Sequence, residues 1–221
     1  MLFITRHKLI VALLGVALML NSFNALSEDI QKVVIKTSIG EITLELYPEK
    51  APKTVENFIR YVKTGHYNNT IFHRVIDNFM IQGGGYDKKL KEKPTNKPVA
   101  LEAGYALERG LKNDAGTVAM ARTNEPNSAA AQFFINVNDN DFLNHQILPE
   151  GNPVQYTRRG EVITAPRDQA LLATAGYTPF GKVVGGMDVV EKIKSTQTGN
   201  QGMMQNVPTE AIIIESIKLL K

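Results

Sequence analysis

The sequence predicts an all-β-dominated domain, a closed eight-stranded antiparallel barrel capped by two short helices. Short apolar segments recur along the chain and are separated by turn-forming Gly, Pro, Asn and Asp residues, which is typical of β-sheet folds. Two further segments carry apolar residues at the spacing of amphipathic helices. About eight short strands in an open sheet would leave exposed edges, and closure into a barrel removes them.

The predicted elements follow one another from residue 33 to residue 220. The first two strands are joined at Ser38-Ile39-Gly40-Glu41, where Gly40 favours a hairpin turn. Gly65 is expected to end the first helix. Helices are expected at residues 54–64 and 187–195, and strands at residues 33–37, 42–46, 70–76, 79–82, 99–101, 117–121, 132–137, 181–184 and 211–220.

Residues 1–27 have the layout of a secretory signal peptide. Arg6, His7 and Lys8 form a basic start, an apolar run follows at residues 9–20, and Ala25-Leu26-Ser27 supplies small residues for cleavage. The apolar run is shorter than the ~20 residues that span a bilayer, which argues against an uncleaved anchor. We therefore expect an exported protein with no stable membrane insertion after cleavage, and a single domain at residues 28–221.

Composition narrows the function classes further. The chain of 221 residues has a formal net charge of +3, and removal of residues 1–27 takes away Arg6 and Lys8 and leaves +1. A charge this close to neutral does not indicate a nucleic-acid partner. A cluster of basic residues fits a solvated loop and consists of Lys88, Lys89, Lys91 and Lys93. The absence of cysteine excludes disulfides and thiol chemistry.

Hydrolase, metal and phosphate sites are not indicated either. The histidines lack the pattern of a catalytic triad or the spacing of metal ligands; they are His7, His66, His73 and His145. Gly83-Gly84-Gly85 lacks the Lys-Ser/Thr that follows a phosphate-binding loop, and we expect a turn there. We expect no cofactor and no metal, and we expect His73 to be a packed core histidine.

Arg74 is the residue that packing alone explains least. It lies in the apolar run Phe72-His73-Arg74-Val75-Ile76, and arginine is rarely buried without a partner. Regular alternation would place Phe72, Arg74 and Ile76 on one side of the strand. Arg74 is then either a structural arginine paired with a carboxylate such as Asp77, or a cation that binds an extended peptide beside apolar surface.

The longer run FHRVIDNFMIQGGG at 72–85 and four further blocks resemble the cyclophilins, the peptidyl-prolyl cis/trans isomerases. The blocks are GTVAMAR at 116–122, AQFFINV at 131–137, DFLNH at 141–145 and YTPFGKV at 177–183. They occur in the order of the family and, with the first strands and the last segment, span residues 33–220. Their wording is closest to the exported bacterial branch. The resemblance implies the barrel fold and a periplasmic isomerase that assists folding of proline-containing, extended or unfolded polypeptides.

The resemblance assigns the catalytic role to Arg74. In the twisted transition state the prolyl nitrogen regains a lone pair, and a guanidinium can donate a hydrogen bond to it. The apolar pocket for the proline ring would be lined by the residues that match the family pattern at Phe79, Met80, Phe134 and Leu143.

Polar and backbone contacts are implied at four further positions. Gln82 and Gln132 match residues that steady the arginine and the peptide, and Ala121 and Arg122 match the segment whose backbone pairs with an extended substrate. Hydrogen bonds of that kind recognise the backbone, so we expect a broad sequence preference.

Two expected substrate-binding positions depart from the eukaryotic pattern. Phe142 stands where many eukaryotic members have tryptophan, and Tyr177 stands where they have histidine. An indole hydrogen bond to cyclosporin is therefore lost, and we expect weak cyclosporin binding. The loop that begins Arg122-Thr123-Asn124 also differs in length and charge.

A long insert occupies about residues 146–176, where the family has a short connection. Residues 154–164 suggest a hairpin that turns at Arg159-Gly160, and residues 168–174 have helical composition. Loops this long are usually functional or disordered. The insert is either an ordered surface decoration or a rim that selects substrates near Tyr177.

Two alternatives to the isomerase remain open: a peptide-binding chaperone with little turnover, and a protein that acts on one partner through this insert.

Overall fold

Eight strands close into an antiparallel barrel in the computed structural model, which describes residues 30–158 and 160–220. The predicted signal peptide at 1–27 lies outside the described residues. The strands are β1 (Gln31–Thr37), β2 (Gly40–Leu46), β3 (Thr70–Ile76), β4 (Met80–Asp87), β5 (Thr117–Met120), β6 (Phe133–Asn136), β7 (Val154–Arg158), β8 (Glu161–Ala165), β9 (Pro179–Gly185), β10 (Thr198–Gln201), β11 (Met204–Pro208) and β12 (Ile212–Leu219). Around the barrel the order is β1-β12-β3-β4-β6-β5-β9-β2, and the predicted fold class is confirmed.

The barrel core follows from strand alternation. Every second residue of β1 and β2 is buried, and the interior members Val33, Ile35 and Leu44 have no exposed surface. The rings of Phe58, Phe133 and Phe180 also meet in this core, with the Phe58 centroid 5.6 Å from that of Phe133 and 5.1 Å from that of Phe180. Aromatic rings contribute large buried area and prefer such tilted or edge contacts.

Four short α-helices are present in the described ranges, where two had been predicted as caps. They are α1 (Pro52–Lys63), α2 (Ala103–Glu108), α3 (Arg167–Ala173) and α4 (Met187–Lys194). The apolar faces of α1 and α4 contribute to the barrel core through residues such as Phe58, Val190 and Ile193. Both predicted capping helices are therefore confirmed. None of the described helices is long and apolar enough to cross a membrane.

The start of α1 is held by a carboxylate from a distant part of the chain. Glu102 accepts hydrogen bonds from the backbone N–H of Lys53 at 3.1 Å and of Thr54 at 2.9 Å, and from the Thr54 hydroxyl at 2.8 Å. The first N–H groups of a helix have no partner within it, and negative charge is favoured there. Glu102 thus caps α1, whose own N-cap residue, Ala51, has no side chain for this purpose.

The turn predicted at Gly83-Gly84-Gly85 is wrong, because all three glycines lie within β4. A Cβ at Gly84, which has φ of +85°, would stand 2.9 Å from the rings of Tyr67 and Phe133. Glycine is therefore required here because core rings approach the backbone closely. The strand predicted at 99–101 is also wrong: Leu101 donates its N–H to the Asn127 side chain at 2.9 Å instead of joining a sheet.

Two small hairpins lie outside the barrel in the described ranges. The insert contains the predicted hairpin, β7 paired with β8, and the predicted helix α3. The second hairpin pairs β10 with β11 and was not predicted from the sequence. Both hairpins border the region described next.

Candidate active site

A bulge in β3 sets the direction of Arg74. Phe72 pairs with Gly83, but Arg74 pairs with Gln82, so the register shifts between the two positions. Phe72 and Val75 consequently both belong to the barrel core, while Arg74 and Ile76 are partly exposed. The prediction that Phe72 shares a face with Arg74 is wrong, because an extra residue in one strand reverses the alternation.

Arg74 is held by the neutral side chain of Gln82, at the end of a hydrogen-bond chain that leads through Gln132 to Glu92. Its guanidinium donates to Gln82 Oε1 at 3.4 Å, Gln82 Nε2 donates to Gln132 Oε1 at 3.0 Å, and Gln132 Nε2 donates to Glu92 Oε1 at 3.4 Å. Among the described residues no carboxylate forms an ion pair with Arg74. The structural interpretation, in which Asp77 would pair with this arginine, is therefore not supported.

An apolar cluster lies beside Arg74 on the outside of the barrel. Its buried members are Met80, Ala119, Phe134 and Leu143, and its partly exposed members are Ile76, Phe79, Ala121 and Tyr177. We call this set the apolar cluster. Met80 and Phe134 form its floor, since they are only 2% and 4% exposed.

Two ring contacts build the walls of the apolar cluster. The Phe79 and Phe142 rings stack with centroids 5.6 Å apart, and the Tyr177 ring meets Phe134 edge-on at 5.7 Å. Phe142 remains 44% exposed, so it presents an aromatic face to a ligand but no N–H donor.

Among the described residues, Arg74 lines two cavities, and a third adjoins them through the shared lining residues Gln82 and Arg122. The main cavity, of about 680 Å³, is lined by Arg74, by three members of the apolar cluster and by residues of the insert, together with Arg122 and Phe142; the three cluster members are Phe79, Leu143 and Tyr177. A side cavity of about 310 Å³ is lined in part by Gln82, Ala121, Arg122 and Gln132. A third, of about 340 Å³, lies between Arg74 and the β10–β11 hairpin. The structure thus brings every sequence-predicted site residue to these cavities or to the apolar cluster, and their individual roles stay predictions.

Arg122 joins the main cavity to the side cavity. Its guanidinium lies over the Tyr177 ring at 4.4 Å from the centroid and donates to the carbonyls of Gly176 at 2.9 Å and Thr123 at 2.8 Å. A guanidinium over an aromatic face is attracted by the ring quadrupole. Arg122 is therefore fixed in place, and no carboxylate among the described residues forms an ion pair with it.

Buried asparagines, which sequence reasoning missed, hold the backbone of the apolar cluster. Asn113 donates to the carbonyls of Leu143 at 3.2 Å and Tyr177 at 3.3 Å, and Asn140 donates to the carbonyl of Phe79 at 2.8 Å. Asn136 connects the two, donating to Asn113 at 3.3 Å and accepting from Asn140 at 2.7 Å. A signal existed in the sequence, because Asn136 interrupts an apolar strand and a buried amide needs partners.

His73 is packed as predicted. It is 4% exposed, and its ring centroid lies 4.7 Å from that of Tyr86. Burial, with a smaller contribution from the neighbouring charge of Arg74, lowers the pKa of His73 from 6.5 to about 4. The ring is therefore neutral at physiological pH and adds no charge beside Arg74. No group of three or more acidic or histidine side chains in the described ranges could hold a metal ion.

Comparison with known proteins decides the family. The sequence model for the cyclophilin type peptidyl-prolyl cis-trans isomerase/CLD family matches residues 32–219. The chain belongs to the cyclophilin family. This cyclophilin is 49% identical to peptidyl-prolyl cis-trans isomerase B of Escherichia coli over 84% of its own length and 97% of that protein. A peptidyl-prolyl cis-trans isomerase of Streptomyces antibioticus is 48% identical over 85% and 98% of the two chains.

Solved structures agree with this assignment. A cyclophilin of Cryptosporidium parvum superimposes with a TM-score of 0.62 at 25% identity and covers 87% of this chain and 98% of its own. The same protein has been crystallised in the presence of the dipeptide Ala-Pro, with a TM-score of 0.61 over 86% of this chain and 99% of that one. Family and relatives together make this cyclophilin a peptidyl-prolyl cis-trans isomerase.

Proposed function

We propose that Arg74 is the catalytic residue of this isomerase and that it acts on X-Pro bonds in extended segments of exported polypeptides. Rotation about the bond breaks amide resonance against a barrier of ~18–20 kcal/mol. The guanidinium donates to the prolyl nitrogen only when that nitrogen is pyramidal, so it binds the twisted form more strongly than the planar form. Such differential binding is what accelerates a reaction.

The observation that carries this proposal is that the Arg74 guanidinium keeps N–H donors available for a substrate. One long bond of 3.4 Å to the uncharged Gln82 orients the group, and the remaining N–H donors point to no carboxylate among the described residues. An arginine held in an ion pair would have to break that pair before it could bind a substrate. The donors of Arg74 can bind a substrate without breaking an ion pair.

The substrate is a polypeptide segment that contains proline, and the proline ring enters the apolar cluster. Arg122 can pair with the backbone of that chain, because within the described residues no backbone hydrogen bond uses its N–H or C=O, while the Ala121 N–H already donates to Gln132 at 2.9 Å. The cocrystallisation of the C. parvum cyclophilin with Ala-Pro supports a ligand of this type. Backbone pairing of this kind accepts many sequences.

An isomerisation assay on a short Ala-Pro peptide tests the proposal. We expect Arg74→Ala to lower kcat/KM by roughly 10²–10³-fold, as found when one transition-state donor is removed, with an unfolding curve that matches the parent. Equal rates for the parent and Arg74→Ala would contradict the catalytic role. A parent that binds the peptide without accelerating its rotation would instead support the chaperone alternative.

Export and assistance of folding form the second part of the proposal. They rest on the basic start, the apolar run and the small residues of the N-terminal segment, residues 1–27. We expect the protein in the periplasmic fraction, shortened near Ser27, and we expect it to accelerate the refolding of a protein limited by proline isomerisation. Full-length protein retained in the cytoplasmic fraction would contradict export.

A further inference from the structure

The insert is a folded layer rather than a loose loop. Val154 of β7 and Ala170 of α3 are 2% and 0% exposed, and Gln146 donates its side chain to the Thr157 carbonyl at 2.7 Å. Gln146 also donates its backbone N–H to the Thr174 carbonyl at 3.1 Å. These two hydrogen bonds join the first residue of the insert to β7 and to Thr174, the residue that follows α3.

The insert is rooted in the apolar cluster itself. Its two ends follow Leu143 and precede Tyr177, and the Tyr177 N–H donates to the Leu143 carbonyl at 2.9 Å. Both residues belong to the apolar cluster. The position of the insert is therefore set by the same backbone that shapes the proposed proline pocket.

The insert supplies one wall of the main cavity. Arg158 at the end of β7, and Gln169 and Leu172 of α3, line the same cavity as Arg74 and Phe142. A peptide whose proline occupies the apolar cluster can therefore contact this wall where it continues through the main cavity.

The charge of the main cavity is strongly one-sided. Of the residues that the structure describes, three arginines line it, namely Arg74, Arg122 and Arg158, against a single carboxylate, Glu125. None of the three arginines forms an ion pair in the part of the chain that the structure describes, and Arg158 does not do so even with Glu161, its cross-strand neighbour. Adjacent unpaired cations attract a carboxylate that enters between them.

We propose that Arg158 is a specificity-determining residue and that, with Arg122, it selects substrates carrying an acidic side chain near the proline. The proposal rests on the proposed isomerisation of peptides at Arg74 and the apolar cluster, and it adds a preference to the broad backbone recognition. In this proposal Arg74 contacts the prolyl bond and Arg122 stays over the Tyr177 ring. Arg158 is the additional cation that the insert contributes.

The test compares peptides that differ in one side chain. Each has one Ala-Pro bond and a Glu or a Gln two residues before or two residues after the proline, and kcat/KM is measured by NMR exchange. We expect the parent to prefer Glu over Gln by roughly 2- to 5-fold in at least one placement, the range of a partly exposed ion pair. Raising the salt from ~0.01 M to ~1 M, which shortens the screening length from ~30 Å to ~3 Å, is expected to reduce that preference.

Two variants and a matched control assign the preference to Arg158. Arg158→Gln should bring the Glu/Gln ratio towards one, and Arg158→Glu should favour a Lys peptide over the Glu peptide. Arg109→Gln is the control, because Arg109 is an exposed arginine that stacks on Tyr105 and does not line the cavity. It should leave the ratio unchanged.

The outcomes separate this inference from the function on which it rests. Turnover of all peptides at equal rates by the parent, or an unchanged Glu/Gln ratio in Arg158→Gln, overturns the specificity role and leaves the isomerase intact. If the parent turns over none of the peptides, the proposed use of Arg74 fails, and the inference fails with it.

Discussion

Acidification is expected to destabilise this cyclophilin through His73. The ring is buried against Tyr86 beside Arg74, and its pKa is lowered from 6.5 to about 4, chiefly by burial. The unfolded chain therefore binds a proton below pH 6.5 that the folded protein does not bind until about pH 4. Stability from this group is fully present above the unfolded pKa and is lost as the pH falls between the two values.

The size of the effect follows from the two pKa values. One pKa unit corresponds to ~1.4 kcal/mol, and integration from about pH 7.5 to about pH 5 gives a loss of about 2 kcal/mol. We would measure urea unfolding at both pH values for the parent and for His73→Phe, which cannot titrate. His66, whose pKa burial also lowers, is present in both proteins and cancels from the comparison.

The parent should lose about 2 kcal/mol more than His73→Phe on acidification. Only the difference in pH dependence matters, so a constant cost of the substitution does not affect the conclusion. Equal pH dependence in the two proteins would mean that His73 titrates alike in the folded and unfolded states, contrary to this prediction.

Two further predictions concern the apolar cluster. Asn113→Ala should lower the free energy of unfolding by about 1–3 kcal/mol, because it leaves the Tyr177 carbonyl without its donor and removes the second donor of the Leu143 carbonyl, which also accepts from the Tyr177 N–H; chemical denaturation that shows no loss would contradict this. Phe142→Trp should strengthen cyclosporin inhibition relative to the weak inhibition expected of the parent, because it adds an indole N–H at the rim of the cavity. Nanomolar inhibition of the parent itself would show that this donor is not needed.

Periodicity alone was sufficient to predict most of the barrel. The alternation in β1 and β2, and the helical spacing of Val55, Phe58 and Ile59 in α1, reflect local burial patterns that the fold retains. The hairpin and helix of the insert were also visible, because Gly160 and the composition of residues 168–174 are local signals.

Features that depend on partners distant in the chain could not be predicted in this way. The direction of Arg74 depends on a bulge that forms only when β3 pairs with β4. The three glycines look like a turn until the rings of Tyr67 and Phe133 are placed above them. Glu102 caps a helix that begins 50 residues earlier, at Pro52, and no short-range sequence pattern predicts such a contact.

The site was predicted through resemblance more than through pattern. Taken singly, Phe79, Phe134 and Leu143 are apolar residues of the kind found in any core, and only the order of the sequence blocks grouped them with Arg74. The asparagine network was missed because each amide bonds partners that are distant in sequence, such as Asn113 with Leu143. The structure shows that these residues lie close together in space, and mutation tests the role of each.

The catalytic role proposed for Arg74 requires that it bind the twisted prolyl bond more strongly than the planar one. The most direct measurement is NMR on one Ala-Pro peptide with the parent and Arg74→Gln, recording both the dissociation constant and the cis/trans exchange rate of the bound peptide. We expect the exchange rate to fall by roughly 10²–10³-fold while the affinity changes only slightly. An affinity that falls as much as the rate, or an exchange rate that does not change, would show that Arg74 does not bind the twisted bond preferentially.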